Sequence, residues 1–446
     1  MANGELSPDR MCRSPTGRAA SFAQSRRFPA IVALSAVVLA LPSLGAGWML
    51  DDYLHRVILL EDTRFRDLLG PPAEMFRFFR GDPVRTGRAM DIGIYPWWTD
   101  PTLKAEFLQA ITVLTHRLDY ILWPDSPALM HAQSLFWLGT AVFAVAVFYR
   151  QMLGATWVAD AAALLYAVDD ARGTTAGFIA NRNVLIATTF GVSALVCHDR
   201  YRRAGSRMAA LAAPLLLAAA LFAKKEGIGT CAYLAAYGLF VDPRGRGRGC
   251  MALLPYVLVV VVWRALRASW GYGVHNMGLY IDPLTDPGPF VTAVIERAPI
   301  IFMGQWSPVP GETGVVLNPQ LLRLLWWVAV VLAVFFIWVV TPLLRRDNIA
   351  RFWTAGMIFS MIPACATLPM DRLLTFVGIG AFDPPRRRAH PRNQTEARLS
   401  WPGSGPSLPQ RAPADGRGAR GEIDRNDRTG HGRHCGWPAG RRHFSV

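Results

Sequence analysis

Four short stretches of the chain concentrate the side chains that do acid–base and anion chemistry. They are Asp51–Asp52, Asp169–Asp170 with Arg182 a little further on, Lys224–Lys225–Glu226, and Asp371–Arg372. A carboxylate placed beside a hydroxyl can take its proton as a general base. Lysine and arginine side chains hold phosphate oxygens, the arginine as a two-pronged donor. Adjacent residues on a helix point roughly 100° apart, so Asp51 and Asp52 do not form a shared-proton pair by spacing alone. One is free to act as a base while the other caps or orients. The plainer readings are a solvated helix end for the two aspartates and a hairpin with snorkelling lysines for Lys224 and Lys225. Arg182 stands between Asn181 and Asn183 and opens a helix whose first amides favour anions; its plainer role is a salt bridge to Asp169 or Asp170.

Each stretch lies at the edge of an apolar run. The 446 residues are 52% hydrophobic and only 18% charged, against about 25% charged in soluble domains. The first run, Phe28–Leu50, spans 23 residues behind Arg26 and Arg27. About 20 apolar residues cross a bilayer as a helix, and this run reads as an uncleaved anchor with a cytoplasmic N-terminus. Further runs are Ala128–Phe148, Ala155–Val168, Val184–Cys197, Met208–Ala223, Gly227–Val241, Met251–Ala268, Leu324–Leu344 and Phe352–Thr367. A shorter one, 373–382, begins like a tenth span and stops after ten residues. The expected fold class is therefore all-α: a polytopic helical membrane protein of about nine to ten transmembrane helices.

Threading the runs alternately places RQMLG (150–154), HDRYRRAGSR (198–207), DPRGRGRG (242–249) and RRDNIAR (345–351) on the N-terminal side. All four are short and arginine-rich, as the positive-inside rule requires of cytoplasmic connections. The ionisable stretches then gather on the opposite, exoplasmic side. So do the long loop 51–127 and the segment 270–318. Within the loop, Lys104–Trp123 carries Phe107, Ile111, Leu114, Leu118 and Ile121 on one helical stripe. This reads as a helix lying in the interface, with Trp97 and Trp98 as an aromatic anchor before it.

The net charge of +15 comes mainly from arginines between the runs and in the last 64 residues. No basic helix interleaved with stacking aromatics is present, so nucleic acid is not an expected partner. The six cysteines show no CxxC or metal spacing and read as small apolar side chains. No motif calls for a cofactor, and a divalent metal is left open. Residues 1–27 read as a cytoplasmic tail and 28–382 as the membrane domain. Residues 383–446 hold 13 arginines and no lysine, and read as a disordered tail or a shifted reading frame.

PALMHAQSLFWL (127–138), LLYAVDDARGTTAGFIANRNVLIA (164–187) and FAKKEGIGT (222–230) resemble segments of multispanning GT-C membrane glycosyltransferases. Protein O-mannosyltransferase-like and aminoarabinose-transferase-like proteins are the nearest kinds. A first span followed by an acidic pair and a long exoplasmic loop fits the same resemblance. It implies a polyprenyl-phosphate sugar donor, membrane lipid as the surrounding partner and a bacterial inner-membrane location. It also implies Asp51 or Asp52 as catalytic base, and Arg182, Lys224, Lys225 or Arg372 on the donor phosphate, with Asp169, Asp170 and Glu226 in support. The alternative is a non-enzymatic membrane protein: a carrier, a scaffold or a truncated inactive relative.

Overall fold

A computed structural model describes residues 25–61 and 64–381 of the chain; the expectations for the first 24 residues and for the C-terminal tail lie outside these. Helix dominates. Five helical segments are long and apolar enough to cross a membrane: Phe28–Gly45, Pro127–Leu153, Ile179–Ala204, Arg246–Ser269 and Pro319–Leu344. The other expected spans form shorter helices. A 12-residue helix reaches about 18 Å, well below the thickness of about 30 Å of a hydrocarbon core.

In chain order the helices are α1 (Phe28–Leu39), α2 (Asp51–Leu59), α3 (Arg66–Leu69), α4 (Pro83–Asp91), α5 (Ala110–Leu122), α6 (Pro127–Leu153), α7 (Trp157–Val168), α8 (Ala171–Ala176) and α9 (Arg182–Ala204). Then come α10 (Arg207–Ala223), α11 (Gly229–Phe240), α12 (Arg246–Met251), α13 (Leu254–Ser269), α14 (Pro287–Trp306), α15 (Thr313–Val316), α16 (Pro319–Leu344), α17 (Asn348–Ala364) and α18 (Leu374–Ala381). Several starts are written locally. Thr156, Ser206 and Asn318 each accept from backbone N–H groups in the first turn of α7, α10 and α16, which satisfies amides that a helix leaves unpaired.

The first apolar run is not one helix. It breaks after Leu39 into a short 3-10 turn, Leu41–Gly45, which contains Pro42. Gly47 then takes a positive φ of 72° and Leu50 one of 44°. Asp51 and Asp52 therefore open a new helix rather than end the membrane span, in a first turn where the helix dipole favours carboxylates. The expected helix 104–123 is also shorter. Lys104–Glu106 is a strand, and α5 starts only at Ala110. The segment 270–318 is not a plain loop, since it carries the 20-residue α14.

Three strands, β1 (Arg77–Arg80), β2 (Lys104–Glu106) and β3 (Val274–His275), form a small antiparallel sheet in the order β1–β2–β3. Arg80 pairs with Lys104, and Lys104 with His275. The sheet joins the loop 51–127 to the segment 270–318, which alternate threading assigns to one side. The arginine-rich connections meet elsewhere. Gln151 Nε2 donates to Asp199 Oδ2 at 2.6 Å, Tyr237 Oη donates to Asp199 Oδ1, and Arg202 binds Asp242 through two bonds of 2.6 and 2.9 Å.

α9 is the central column, packed against α6, α10 and α11, and α11 packs in turn on α17. α16 is its opposite: Ala329 is its one buried residue, while Leu324, Trp327, Val331, Phe335 and Trp338 are exposed. A helix apolar on every side and open on most of them has the composition of a membrane span. α18, the short run expected as a tenth span, is buried along its whole length. Tyr149, Tyr166 and Tyr233 donate their hydroxyls to the carbonyls of Ile379, Thr375 and Phe376 at 2.7, 3.0 and 2.7 Å. The seam relies on small residues: a Cβ added at Gly356 would meet the ring of Tyr233. Gly356→Ala is expected to cost about 1–3 kcal/mol through overpacking, read as a lower melting temperature of the protein in detergent.

Candidate active site

A cavity of about 80 Å³ opens where the exoplasmically assigned stretches meet. Its charged lining is Asp51 from the first turn of α2, Lys224, Lys225 and Glu226 from the turn between α10 and α11, and Arg372 from the turn before α18. Phe76, Phe78, Phe107 and Tyr280 form an aromatic wall, and Gln109, Asn181 and Asn183 supply amides. Five residues expected from sequence thus arrive at one cavity from three separate stretches of the chain.

These charges act on each other through space rather than as close pairs. Among the described residues, Asp51, Lys224, Lys225, Glu226 and Arg372 close no ion pair. Lys224, 7% exposed, donates from Nζ to Asn183 Oδ1 at 3.0 Å. Arg372 Nη1 donates to Asn181 Oδ1 at 3.4 Å. The Lys225 ammonium lies 4.1 Å from the ring centre of Tyr280 and 5.2 Å from that of Phe107. Glu226 Oε2 is buried without a hydrogen-bond partner. Charge withdrawn from water is costly, and here amides, aromatic faces and opposite charges nearby offset that cost.

Burial pushes Lys224 and Lys225 down to about 8, against the opposing pull of Glu226. For Glu226, burial raises the carboxyl, but Lys224, Lys225 and Arg372 outweigh it and hold it below the usual range. Asp51 is open at the mouth of the cavity, yet the protein around it thins its hydration and raises its pKa, offset in part by Arg372 and Lys224. A carboxylate with a raised pKa beside ammonium and guanidinium groups has the makings of a base next to an anion site.

The remaining expected residues are employed elsewhere. Asp52 is buried and accepts from Met49 N at 3.0 Å and from Ala180 N at 2.8 Å. It ties the start of α2 to the segment that carries Asn181, and burial raises its carboxyl to about 6 despite those two bonds. Arg182 is fully buried and does not line the cavity. Its ion pair is with Asp119 on α5, not with Asp169 or Asp170, and it also donates to Ser134 Oγ, Gln133 Oε1 and Met130 O. Asp169 accepts from Gln305 Nε2 at 2.7 Å and pairs with Arg172 at 3.4 Å, away from the cavity lining, and Asp170 is exposed. Asp371 accepts from Gly311 N at 2.7 Å.

Sequence reasoning missed the aromatic wall and the three amides. The flanking of Arg182 by two asparagines was the one local signal for the amides. Among the described residues no three His, Cys, Asp or Glu side chains are grouped as a metal site. Comparison with protein families, curated proteins and solved structures finds no match.

Proposed function

We propose that the chain is a polytopic membrane protein that moves a sugar from a polyprenyl-phosphate donor to an exoplasmic acceptor, in the manner of GT-C glycosyltransferases. Its five long helices and the shorter apolar helices packed among them make up about nine to ten spans, the short ones shielded by their neighbours. The arginine-rich connections face the cytoplasm with the N-terminus, in a bacterial inner membrane. The observation that carries the reading is the convergence of Asp51, Lys224, Lys225, Glu226 and Arg372 on one cavity without mutual ion pairs. Charged groups gathered in one cavity at the ends of apolar helices mark a candidate substrate site.

In this reading Asp51 takes the proton of the acceptor hydroxyl. The acceptor oxygen forms a bond to the anomeric carbon as that carbon's bond to the phosphate oxygen breaks. The phosphate leaves with the bonding electrons, and its negative charge grows by one as it becomes a free polyprenyl phosphate. Lys224, Lys225 and Arg372 take up that rising charge, stabilising the transition state more than the ground state. The aromatic wall offers an apolar face to a sugar ring or lipid segment.

The test is turnover in proteoliposomes with radiolabelled polyprenyl-phosphate sugar and a membrane extract that supplies hydroxyl acceptors. Release of polyprenyl phosphate by the wild-type protein is expected; no release over protein-free vesicles refutes the reading. The pH profile follows from the charges. Asp51 must be ionised, so activity rises as pH passes its raised pKa. The lysines must be protonated, so activity falls as pH climbs through about 8. A bell with its alkaline limb near pH 8 is the expected outcome; a rate still climbing at pH 10 would remove the lysines from the chemistry.

A further inference from the structure

We infer that Gln109 and Asn183 are positioning residues that set the direction and charge of Lys224 in the cavity, linking that ammonium to the interfacial helix α5. The inference rests on the proposed phosphate role of the cavity and extends it to two lining amides that act through Lys224. Gln109 is 7% exposed and Asn183 4% exposed. Asn183 Nδ2 donates to Gln109 Oε1 at 2.8 Å, and Asn183 Oδ1 accepts from Lys224 Nζ at 3.0 Å. An amide has one donor end and one acceptor end. Because Gln109 presents its oxygen, Asn183 must turn its nitrogen that way, which aims its oxygen at the lysine.

The backbone beneath Lys224 is held from the same helix. Thr112 Oγ1 on α5 donates to Ala223 O, the residue before Lys224, at 2.8 Å. Behind the turn, a Cβ at Gly227 would lie 2.7 Å from the backbone of Ala220, so the turn has no room to shift. α5 itself is turned inside out relative to a helix in water. Thr112, His116 and Asp119 are buried, whereas Leu114, Leu118 and Ile121 are exposed. That places the helix with its apolar face toward lipid and its polar face on the site. One helix therefore reads the membrane on one side and sets Lys224 on the other.

An oxygen acceptor on an ammonium favours its charged form. The other charged groups facing Lys224 are Glu226 and Asp51, which support the charge, and Lys225 and Arg372, which oppose it. The Asn183 oxygen, at 3.0 Å, adds a neutral acceptor on the side of the charged form.

The experiment measures binding of farnesyl phosphate to the purified full-length protein in detergent, from pH 6 to 9.5. Wild type is expected to bind at pH 6 and to lose affinity as pH passes about 8. For Asn183→Leu the midpoint is expected to fall by roughly one pH unit, so that affinity relative to its own value at pH 6 drops about fivefold further than wild type's by pH 8. Gln109→Leu frees the Asn183 amide to turn and is expected to shift the midpoint the same way by less. Asn183→Asp, nearly isosteric, is expected to do the reverse: the new carboxylate claims Lys224, the midpoint rises and affinity falls at every pH. A purely structural role would lower the yield of folded protein and leave the midpoint in place. Unchanged midpoints in Gln109→Leu and Asn183→Asp overturn the inference, even if Asn183→Leu does not fold. Failure of wild type itself to bind farnesyl phosphate overturns the phosphate reading of the cavity, and the inference with it.

Discussion

Replacing Asp51 by Asn is expected to lower the rate of sugar transfer by about 10²–10⁴-fold, the usual contribution of a general base. Binding of the lipid phosphate should hold or tighten slightly, since a negative charge leaves a cavity that must accept an anion. Protein yield should not change, because Asp51 is open at the cavity mouth and closes no ion pair among the described residues. Asp52→Asn should behave differently. Its two carboxylate oxygens accept from Met49 N and Ala180 N, and an asparagine turns an N–H₂ toward one of those donors. Leaving a buried N–H unpaired costs about 1–3 kcal/mol, so Asp52→Asn is expected to lose folded protein while each folded molecule keeps its turnover. Rates per folded molecule, measured for both variants, separate the two roles. If Asp51→Asn turns over at the wild-type rate, Asp51 is not the base.

The second large effect is at Arg182. Arg182→Leu is expected to destabilise the protein by about 3–5 kcal/mol, because it strands Asp119 as a buried charge without its partner. The side chain of Arg182 is fully buried and so is that of Asp119. Loss of the arginine would also free the acceptors Ser134 Oγ, Gln133 Oε1 and Met130 O. The double variant Arg182→Leu with Asp119→Leu should recover a large part of the loss, since an apolar pair can replace a buried ion pair at little cost. Thermal melting in detergent, with both single variants and the double, checks this. An Arg182→Leu protein as stable as wild type but unable to bind a lipid phosphate would return Arg182 to the donor site.

The contrast between these neighbours shows where sequence reasoning reached and where it stopped. That Asp51, the Lys224–Glu226 turn and Arg372 share one side followed from the arginines of the intervening connections, a signal spread along the whole chain. Which of Asp51 and Asp52 faces the cavity depends on rotation about a helix whose start is set by Pro42, Gly47 and Leu50, and that break lay hidden inside an unbroken apolar run. Arg182 and its flanking asparagines divide their work by the same geometry. The arginine turns into the protein toward Asp119, 63 residues earlier, and no local pattern names so distant a partner. In the wall of Phe76, Phe78, Phe107 and Tyr280, the apolar pattern reads Phe107 on a helical stripe and gives the other three no element, whereas Phe107 follows a strand and stands before the helix. Long apolar helices were legible because lipid imposes length and composition together. The shorter ones were legible as apolar but not as short of a full span.

The most direct test of the central claim is an experimentally determined structure of the protein in lipid nanodiscs with farnesyl phosphate bound. The account predicts phosphate density between Lys224, Lys225 and Arg372, within hydrogen-bonding reach of at least two of them, with the chain running out toward the membrane and Asp51 at the rim. Phosphate density elsewhere on the molecule, with this cavity empty, would contradict it.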